Sequence, residues 1–445
     1  MQKWQLPPRE RIKARRSARY ARGTYSMLYL LYIIVFLICV YTARHYWFTF
    51  NRLFGFQRHP YIDTDTADWP AVTILVAAHN EEKVIACILS ALMNVNYPAE
   101  KMLVVPVNDR SQDLTREIID RFVQDFPGRI RAFHRKSGKP GKAAALKDAM
   151  KLVHTEVVLI FDADYIPGAG LIKQLVAPFF DPEVGGVMGR VVPLNCGVNI
   201  LTRLLDLERS GGYQVDQQAR MNLRLVPQHG GTVAGVRLSA LQDIGGWNDD
   251  TLTEDTDLTY RLLLHGWKTA YQNRSECYEE VPEVWPVRIK QIMRWAKGHN
   301  QALVAYGARL LFGKHRATLR ERIDGTLLLG VYAMAPITML GWLLALILFY
   351  NGIALLHGLI ALLSVTTYAA VGNFAAFFEI AAAVRLDGSR KRLSILPVLA
   401  LGFVVSISAV SKAAISQIYG YFVNAEFQWD KTERFRTASS WRTFS

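Results

Sequence analysis

Carboxylates follow apolar runs three times between residues 71 and 164. The run AVTILVAAHN (71–80) leads into Glu81-Glu82, MLVVPVND (102–109) ends on Asn108-Asp109, and VVLIFDAD (157–164) ends on Asp162-Ala163-Asp164. Two carboxylates separated by one small residue suit a hard divalent cation. Mg2+ or Mn2+ takes one or two carboxylates together with substrate phosphates and keeps several waters. The same spacing equally describes a solvated turn before Pro167. Taken singly, Glu81 and Asp109 are ordinary turn and cap types, and Asp113 is expected only to cap the helix after it.

Three further segments carry polar chemistry. Lys136-Ser137-Gly138-Lys139-Pro140-Gly141-Lys142 is basic and glycine-rich and precedes a helix starting at Ala143. Its glycines allow close backbone approach and its lysines supply point charges for phosphates, although it lacks the P-loop spacing. Thr253-Glu254-Asp255 opens a predicted helix over 256–265, with Asp257 two residues on and Gly266 ending it. A carboxylate there can cap the helix or take a proton from an attacking hydroxyl. Gln291, Arg294 and Trp295 share one face of a predicted helix. A guanidinium can fork onto a diphosphate and an indole can support a sugar ring, or the pair can anchor a helix at a membrane surface.

The elements that must position these residues follow from periodicity. The three apolar runs read as buried strands, and residues 81–94, 112–125 and 143–153 read as helices between them. Alternating strand and helix implies an α/β domain with a mostly parallel sheet over about 69–322, whose chemistry gathers beyond the carboxyl ends of the strands. On either side the character changes. Residues 1–26 hold eight Lys/Arg and one acid, 27–50 form an apolar span, and 326–423 contain three or four more, with candidates at 326–350, 352–384 and 395–423 before a tail over 424–445. This apolar clustering reconciles 51% hydrophobic residues with 20% charged ones.

The net charge of +14 is compatible with nucleic acid, an anionic membrane or an anionic substrate. No nucleic-acid module is readable, and the basic residues crowd beside apolar spans, where lipid headgroups would meet them. The four cysteines are widely spaced and form no C-x-x-C pair, which points to a reduced protein without structural zinc. Basic clusters at Lys314–Arg322 and Arg385–Arg392 belong in the cytoplasm by the positive-inside rule. A single N-terminal span would then put the basic N-terminus outside, against that rule.

Order makes these segments specific. Glu81, Asp109, the lysine loop, Asp162-x-Asp164, Thr253-Glu254-Asp255 and Gln291-x-x-Arg294-Trp295 succeed one another as in the membrane-integrated, processive family 2 glycosyltransferases, which the chain resembles from about residue 27 to 436. That group includes poly-N-acetylglucosamine, hyaluronan and cellulose synthases. The resemblance implies a GT-A-like nucleotide-sugar-binding domain in the cytoplasm of an integral protein of a bacterial inner or plasma membrane. It implies that Glu81 and Asp109 hold uridine, Lys139 or Lys142 lies near the donor base and diphosphate, Asp164 binds the metal, and Asp162 supports the diphosphate side. Asp255 matches the general base. Arg294 matches the diphosphate contact, and Gln291 and Trp295 match acceptor contacts, with Gly231 and Thr232 in an acceptor-lining loop. The implied reaction is a single inverting displacement from a UDP-sugar to a growing β-linked polysaccharide, coupled to export. A non-processive transfer of one sugar to a membrane lipid is the alternative. Membrane lipids and a glycan or lipid acceptor are the implied partners, with room for an accessory subunit. The family commonly has glycine where this chain has Arg110, and the tail Trp429–Arg434 resembles a short motif that many relatives carry after their last span.

Overall fold

The computed structural model describes residues 8–59, 68–353, 374–423 and 435. The tail motif at 429–434 and the expected break near Gly372-Asn373 lie outside them.

Eight strands form one mixed sheet: β1 (Val72–Ala78), β2 (Met102–Asp109), β3 (Phe133–Arg135), β4 (Val157–Asp162), β5 (Ile166–Pro167), β6 (Val184–Pro193), β7 (Ala234–Arg237) and β8 (Lys268–Glu279), in the order β3-β2-β1-β4-β7-β6-β8-β5. β1 pairs in parallel with β2 and β4, and β2 with β3, which is the expected parallel half. In the other half β7 is antiparallel to β4 and β6, while β6 and β8 are parallel. β1 is apolar throughout because both of its faces are covered. Val72, Ile74 and Val76 pack on one side with Ile85 and Leu89, and Leu75 packs on the other with Val105 and Leu146.

Register decides what the sheet presents. Ala78 lies opposite Asn108, and Ala77 opposite Asp162, so the three carboxylate-bearing strand ends stop level along one edge. The helices are α1 (Pro8–Phe54), α2 (Ile85–Met93), α3 (Thr115–Asp125), α4 (Lys142–Ala149), α5 (Leu171–Val176), α6 (Ile200–Ser210), α7 (Gln218–Asn222), α8 (Leu238–Asp243), α9 (Glu254–His265), α10 (Trp285–Phe312), α11 (Leu319–Gly330), α12 (Met334–Tyr350), α13 (Ala375–Leu386) and α14 (Leu399–Val423). A π-helical turn, Gly211–Gln217, joins α6 to α7. α9 ends where expected, on Gly266 in the left-handed region at φ +88°, with Trp267 N–H donating back to Leu262 O at 3.0 Å.

The basic N-terminal segment, from Pro8 on, is continuous with the apolar span in one helix. Arg22–Phe54 and Arg390–Gly420 are long and apolar enough to cross a membrane, and α11 with α12, bent by 71°, make a third if the pair counts as one span.

Buried charge fastens these helices to the catalytic domain. Arg44 of α1 donates to Asp324 of α11 at 3.0 Å and to Asp216 of the π turn at 3.2 Å, and Arg220 of α7 pairs with both of the same aspartates. Both guanidiniums lie over the ring of Phe48, at 4.3 and 5.4 Å from its centroid. His45 pairs with Glu379 of α13 beside them. Removing one partner of such a set strands a buried charge. Asp324→Ala is therefore expected to destabilise the protein by about 3 kcal/mol, read as a fall in the thermal unfolding midpoint in detergent micelles. A midpoint unchanged from wild type would show that Asp216 alone satisfies both arginines.

Candidate active site

Beyond the level strand ends lies a cavity of about 210 Å3, walled by the β1, β2 and β4 termini, the start of α4, the loop before β7, the start of α9 and one face of α10. Glu81, Asp109, Lys142, Asp162, Asp164, Thr232, Asp255, Gln291, Arg294 and Trp295 all line it. Segments that are far apart in the chain thus meet at one place. Lys139 is outside: its ammonium lies 2.5 Å from Asp250 Oδ1 on the surface. Gly231 stands just behind the wall, where a Cβ would come within 3.1 Å of the Asp255 side chain.

On the β2 side, Asp109 is buried and held in place. Arg135 donates to it at 2.6 Å, Arg110 at 2.8 Å, and the Gly141 N–H at the head of α4 at 3.3 Å. Arg110 sits at φ +56°, in the left-handed region that explains a glycine preference at this position. Its guanidinium bonds to Asp109 and to Gly138 O (2.9 Å) help hold that conformation. Asp113 is not the N-cap of α3, a position that Leu114 takes, but it links the neighbouring loops. It accepts from Thr115 N at 3.0 Å and from Glu82 N at 3.1 Å, tying the two loops together.

Lys142 is the central cation. Its ammonium lies 2.5 Å from Asp162 Oδ1 and 3.7 Å from Glu254 Oε1, and donates to Gly231 O at 2.9 Å. Burial works against its charge, but Asp162 and Glu254 outweigh burial and raise its pKa. Thr232 Oγ1 accepts from Asp162 N at 2.9 Å, so the loop before β7 is pinned to the end of β4. That loop is held in an uncommon conformation, with Gly231 at φ +72° and the β-branched Val233 at φ +51°.

Asp255 faces the cavity from the first turn of α9. Its pKa is pushed up to about 6, by burial first and by Glu254 second, against the Thr256 N–H, Lys142 and Arg294. Asp257, one turn position away, is structural: it accepts from Tyr306 of α10 at 2.5 Å and from Asn248 at 3.0 Å, and pairs with Arg261. On α10, Trp295 has two guanidiniums over its ring, Arg209 at 5.3 Å and Arg288 at 5.4 Å from the centroid. Arg288 also donates to Gln291 Oε1 at 2.9 Å, which fixes the amide.

Sequence reasoning missed Tyr165, Arg209, Glu279 and Glu280, which also line the cavity. Arg209 pairs with Glu279 at 2.5 Å, and Tyr165 OH donates to the same carboxylate at 2.8 Å. Glu279 ends β8 and Glu280 follows it, and the strand's sequence KTAYQNRSECYE is too polar to announce a strand. Arg209 sits on an amphipathic helix with no local signal. Tyr165, next to Asp164, was the one within reach.

Eight carboxylates therefore line the cavity, against the cations Lys142, Arg209 and Arg294. Such an excess of oxygen donors fits a hard divalent cation. Among the described residues no group of three or more acidic, His or Cys side chains is placed to hold a metal ion by itself.

The chain matches the model of the family described as "Glycosyltransferase like family 2" over residues 70–298, more than half its length and all of the segments above. The chain belongs to that family. Glycosyl transfer is therefore its chemistry. It is 30% identical over 290 residues to a probable glycosyltransferase, YdaM, of Bacillus subtilis, covering 63% of this chain and 68% of that one. It is 33% identical over 249 residues to the β-monoglucosyldiacylglycerol synthase of Synechocystis, covering 55% and 51%, and 26% identical over 310 residues to a probable glucomannan 4-β-mannosyltransferase of Arabidopsis thaliana, covering 66% and 56%. The chain thus spans about two thirds of the first relative's length and little more than half of the other two. The mannosyltransferase PcManGT of Pyrobaculum calidifontis, solved with GDP-Man and Mn2+, shares the GT-A fold at a TM-score of 0.59 and 19% identity, over 81% of this chain and 98% of that one.

The glycosyltransferase site depends on one close approach. A Cβ at Gly298 of α10 would lie 2.1 Å from Thr253 Cγ2, directly before Glu254 and Asp255. Gly298→Ala is expected to push the head of α9 away from α10 and to cost on the order of a hundredfold in kcat, the scale of an ångström-sized misplacement. Circular dichroism should stay unchanged, and Thr253→Ala in the same chain should restore part of the rate. Full activity in the single variant would mean the two helices yield without moving Asp255.

Proposed function

We propose that this glycosyltransferase catalyses a single inverting displacement from a UDP-sugar to a growing β-linked polysaccharide at a membrane, with its catalytic domain in the cytoplasm. The observation that carries the reading is the position of Asp255, at the wall of the same cavity as Lys142, Arg294 and Trp295.

In this mechanism Asp255 accepts the proton of the acceptor hydroxyl as that oxygen attacks the anomeric carbon. Its raised pKa keeps it a competent base near neutrality. Arg294 forms no ion pair among the described residues, so its fork is available to the leaving diphosphate. Lys142 adds a second positive charge on the Asp162 side. Trp295, held by Arg209 and Arg288, supplies a flat apolar face for the acceptor ring. Asp164 would hold Mg2+ or Mn2+, which when bound neutralises charge on the diphosphate. Glu81 and Asp109, at the β1 and β2 ends, are placed for the nucleoside.

The membrane reading is supported by the apolar helices Arg22–Phe54 and Arg390–Gly420. Phe435 N–H donates to Glu280 Oε1 at 2.7 Å, so position 435 lies against the catalytic domain. A second acceptor class has its own support. The 33% identical relative is by name a lipid glucosyltransferase, and transfer of one sugar to a lipid needs no export path.

Vesicle-reconstituted protein supplied with Mg2+ or Mn2+ and labelled UDP-sugars, with GDP-mannose alongside, separates the readings. A high-mass product that disappears in Asp255→Asn supports the polysaccharide, and a single-sugar product extracting with lipid supports the alternative. Donor turnover undiminished in Asp255→Asn would remove Asp255 from the base role. The acid limb of kcat/KM is expected near pH 6, with activity lost as pH falls and Asp255 takes a proton. Glu254→Gln removes a neighbouring negative charge and should move that limb to lower pH. Chelation of divalent cations should abolish transfer, with Mn2+ or Mg2+ restoring it in wild type but not in Asp164→Asn. Undiminished turnover in excess chelator would rule out the metal.

A further inference from the structure

A second cavity, of about 190 Å3, lies behind the first and shares one side chain with it, Arg209. Its floor is the outer stretch of β6, Arg190 to Pro193, and its far wall is the segment between α13 and α14, with Asp387 and Arg392. The cavity therefore sits where the catalytic domain meets the C-terminal apolar helices.

Donors and acceptors alternate around it. Arg190 pairs with Glu276 at 3.0 Å and with Asp387 at 2.6 Å, and Arg392 pairs with Asp206 at 2.7 Å and with Asp387 at 3.1 Å. Arg392 keeps a buried Nε without a hydrogen-bond partner. The lining thus holds three guanidiniums and three carboxylates, Asp206, Glu276 and Asp387. A surplus of cations would select an anion, and a surplus of carboxylates a metal. A balanced ring of both offers every hydroxyl a donor and an acceptor, while Val192 and Pro193 offer a small apolar floor. Arg209 lines both cavities, with its guanidinium over the Trp295 ring and paired with Glu279.

We propose that this cavity is an acceptor subsite that binds a neutral, polyhydroxylated sugar ring one position removed from the reacting hydroxyl, with Arg209 as the shared wall. The proposal rests on the glycosyl-transfer reading and adds a site to it. A sugar ring can come from a soluble glycan end or from a glycolipid headgroup, and the chemistry recognised is the same.

The test uses full-length protein in vesicles and two probes, n-octyl β-glucoside for the lipid source and a soluble β-linked glucose tetramer for the glycan source. Binding is read by saturation-transfer NMR with UDP present, which needs no turnover. Val192→Phe fills the cavity without touching its charges, and Glu276→Gln removes one acceptor from a partly exposed position. Both variants are expected to weaken binding of the accepted probe about tenfold, and to raise its KM likewise, while the donor KM and the hydrolysis of donor without probe stay within about twofold of wild type. Which probe responds names the source. Wild-type binding of neither probe, or binding that survives in Val192→Phe, overturns the proposal. A donor KM that rises in parallel also overturns it, because the wall would then belong to the donor site. Probe binding that behaves as expected while no nucleotide sugar is ever turned over would sink the glycosyl-transfer reading and leave the sugar site standing.

Discussion

Crowded negative charge is the constraint around which the catalytic domain is arranged. Two like charges 4 Å apart repel by about 4 kcal/mol at the effective dielectric of a protein surface, and eight carboxylates share this one cavity. The structure assigns cations to them unevenly. Asp109 has two arginines and a backbone N–H, Asp162 has Lys142, and Glu279 has Arg209 and the Tyr165 hydroxyl. Asp255 has Lys142 and Arg294 in electrostatic reach, and burial with Glu254 still lifts its pKa.

That arrangement survives only if the surrounding elements cannot drift, and two interactions of different kinds hold them. Inside the domain, Gly298 lets α10 approach Thr253 so closely that no side chain could intervene, and Tyr306 bonds to Asp257 further along the same pair of helices. At its edge, the Arg44, Arg220, Asp216 and Asp324 set joins α1, the π turn, α7 and α11. A buried ionic set of this sort adds little net stability compared with an apolar packing of the same volume, but it fixes geometry because each member is costly to strand. The apolar helices are thereby held in register with the helix that carries Gln291, Arg294 and Trp295.

Much of this was legible in the sequence, for physical reasons that also mark the limit. β1, β2 and β4 were readable because strands covered on both faces are continuous apolar runs, and their ends were readable because carboxylates follow directly. α9 was readable from its acidic start and its terminal glycine. The mixed half of the sheet was not: β8 is a twelve-residue strand with charged and polar residues along it, placed by pairing with β6 rather than by its own pattern. Arg209 and Glu279 were invisible because their meaning lies in each other and in Trp295, across 70 residues or more. Lys139 and Lys142 were indistinguishable by spacing. The fold separates them, since Lys142 begins α4 and points to β4, whereas Lys139 stays on the loop surface with Asp250.

The Lys142 contact with Asp162 also bears on how the two aspartates of the Asp162-Ala163-Asp164 pair divide their work. Asp162 is the last residue of β4 and Asp164 lies in the turn that follows it. They are not equivalent: Asp162 has a resident ammonium at 2.5 Å, whereas Asp164 is almost buried. A divalent cation approaching Asp162 would meet the Lys142 charge first. The same ammonium holds the Gly231 carbonyl, and through that loop Thr232 fixes the Asp162 backbone. One lysine thus ties together the end of β4, the loop before β7 and the start of α9.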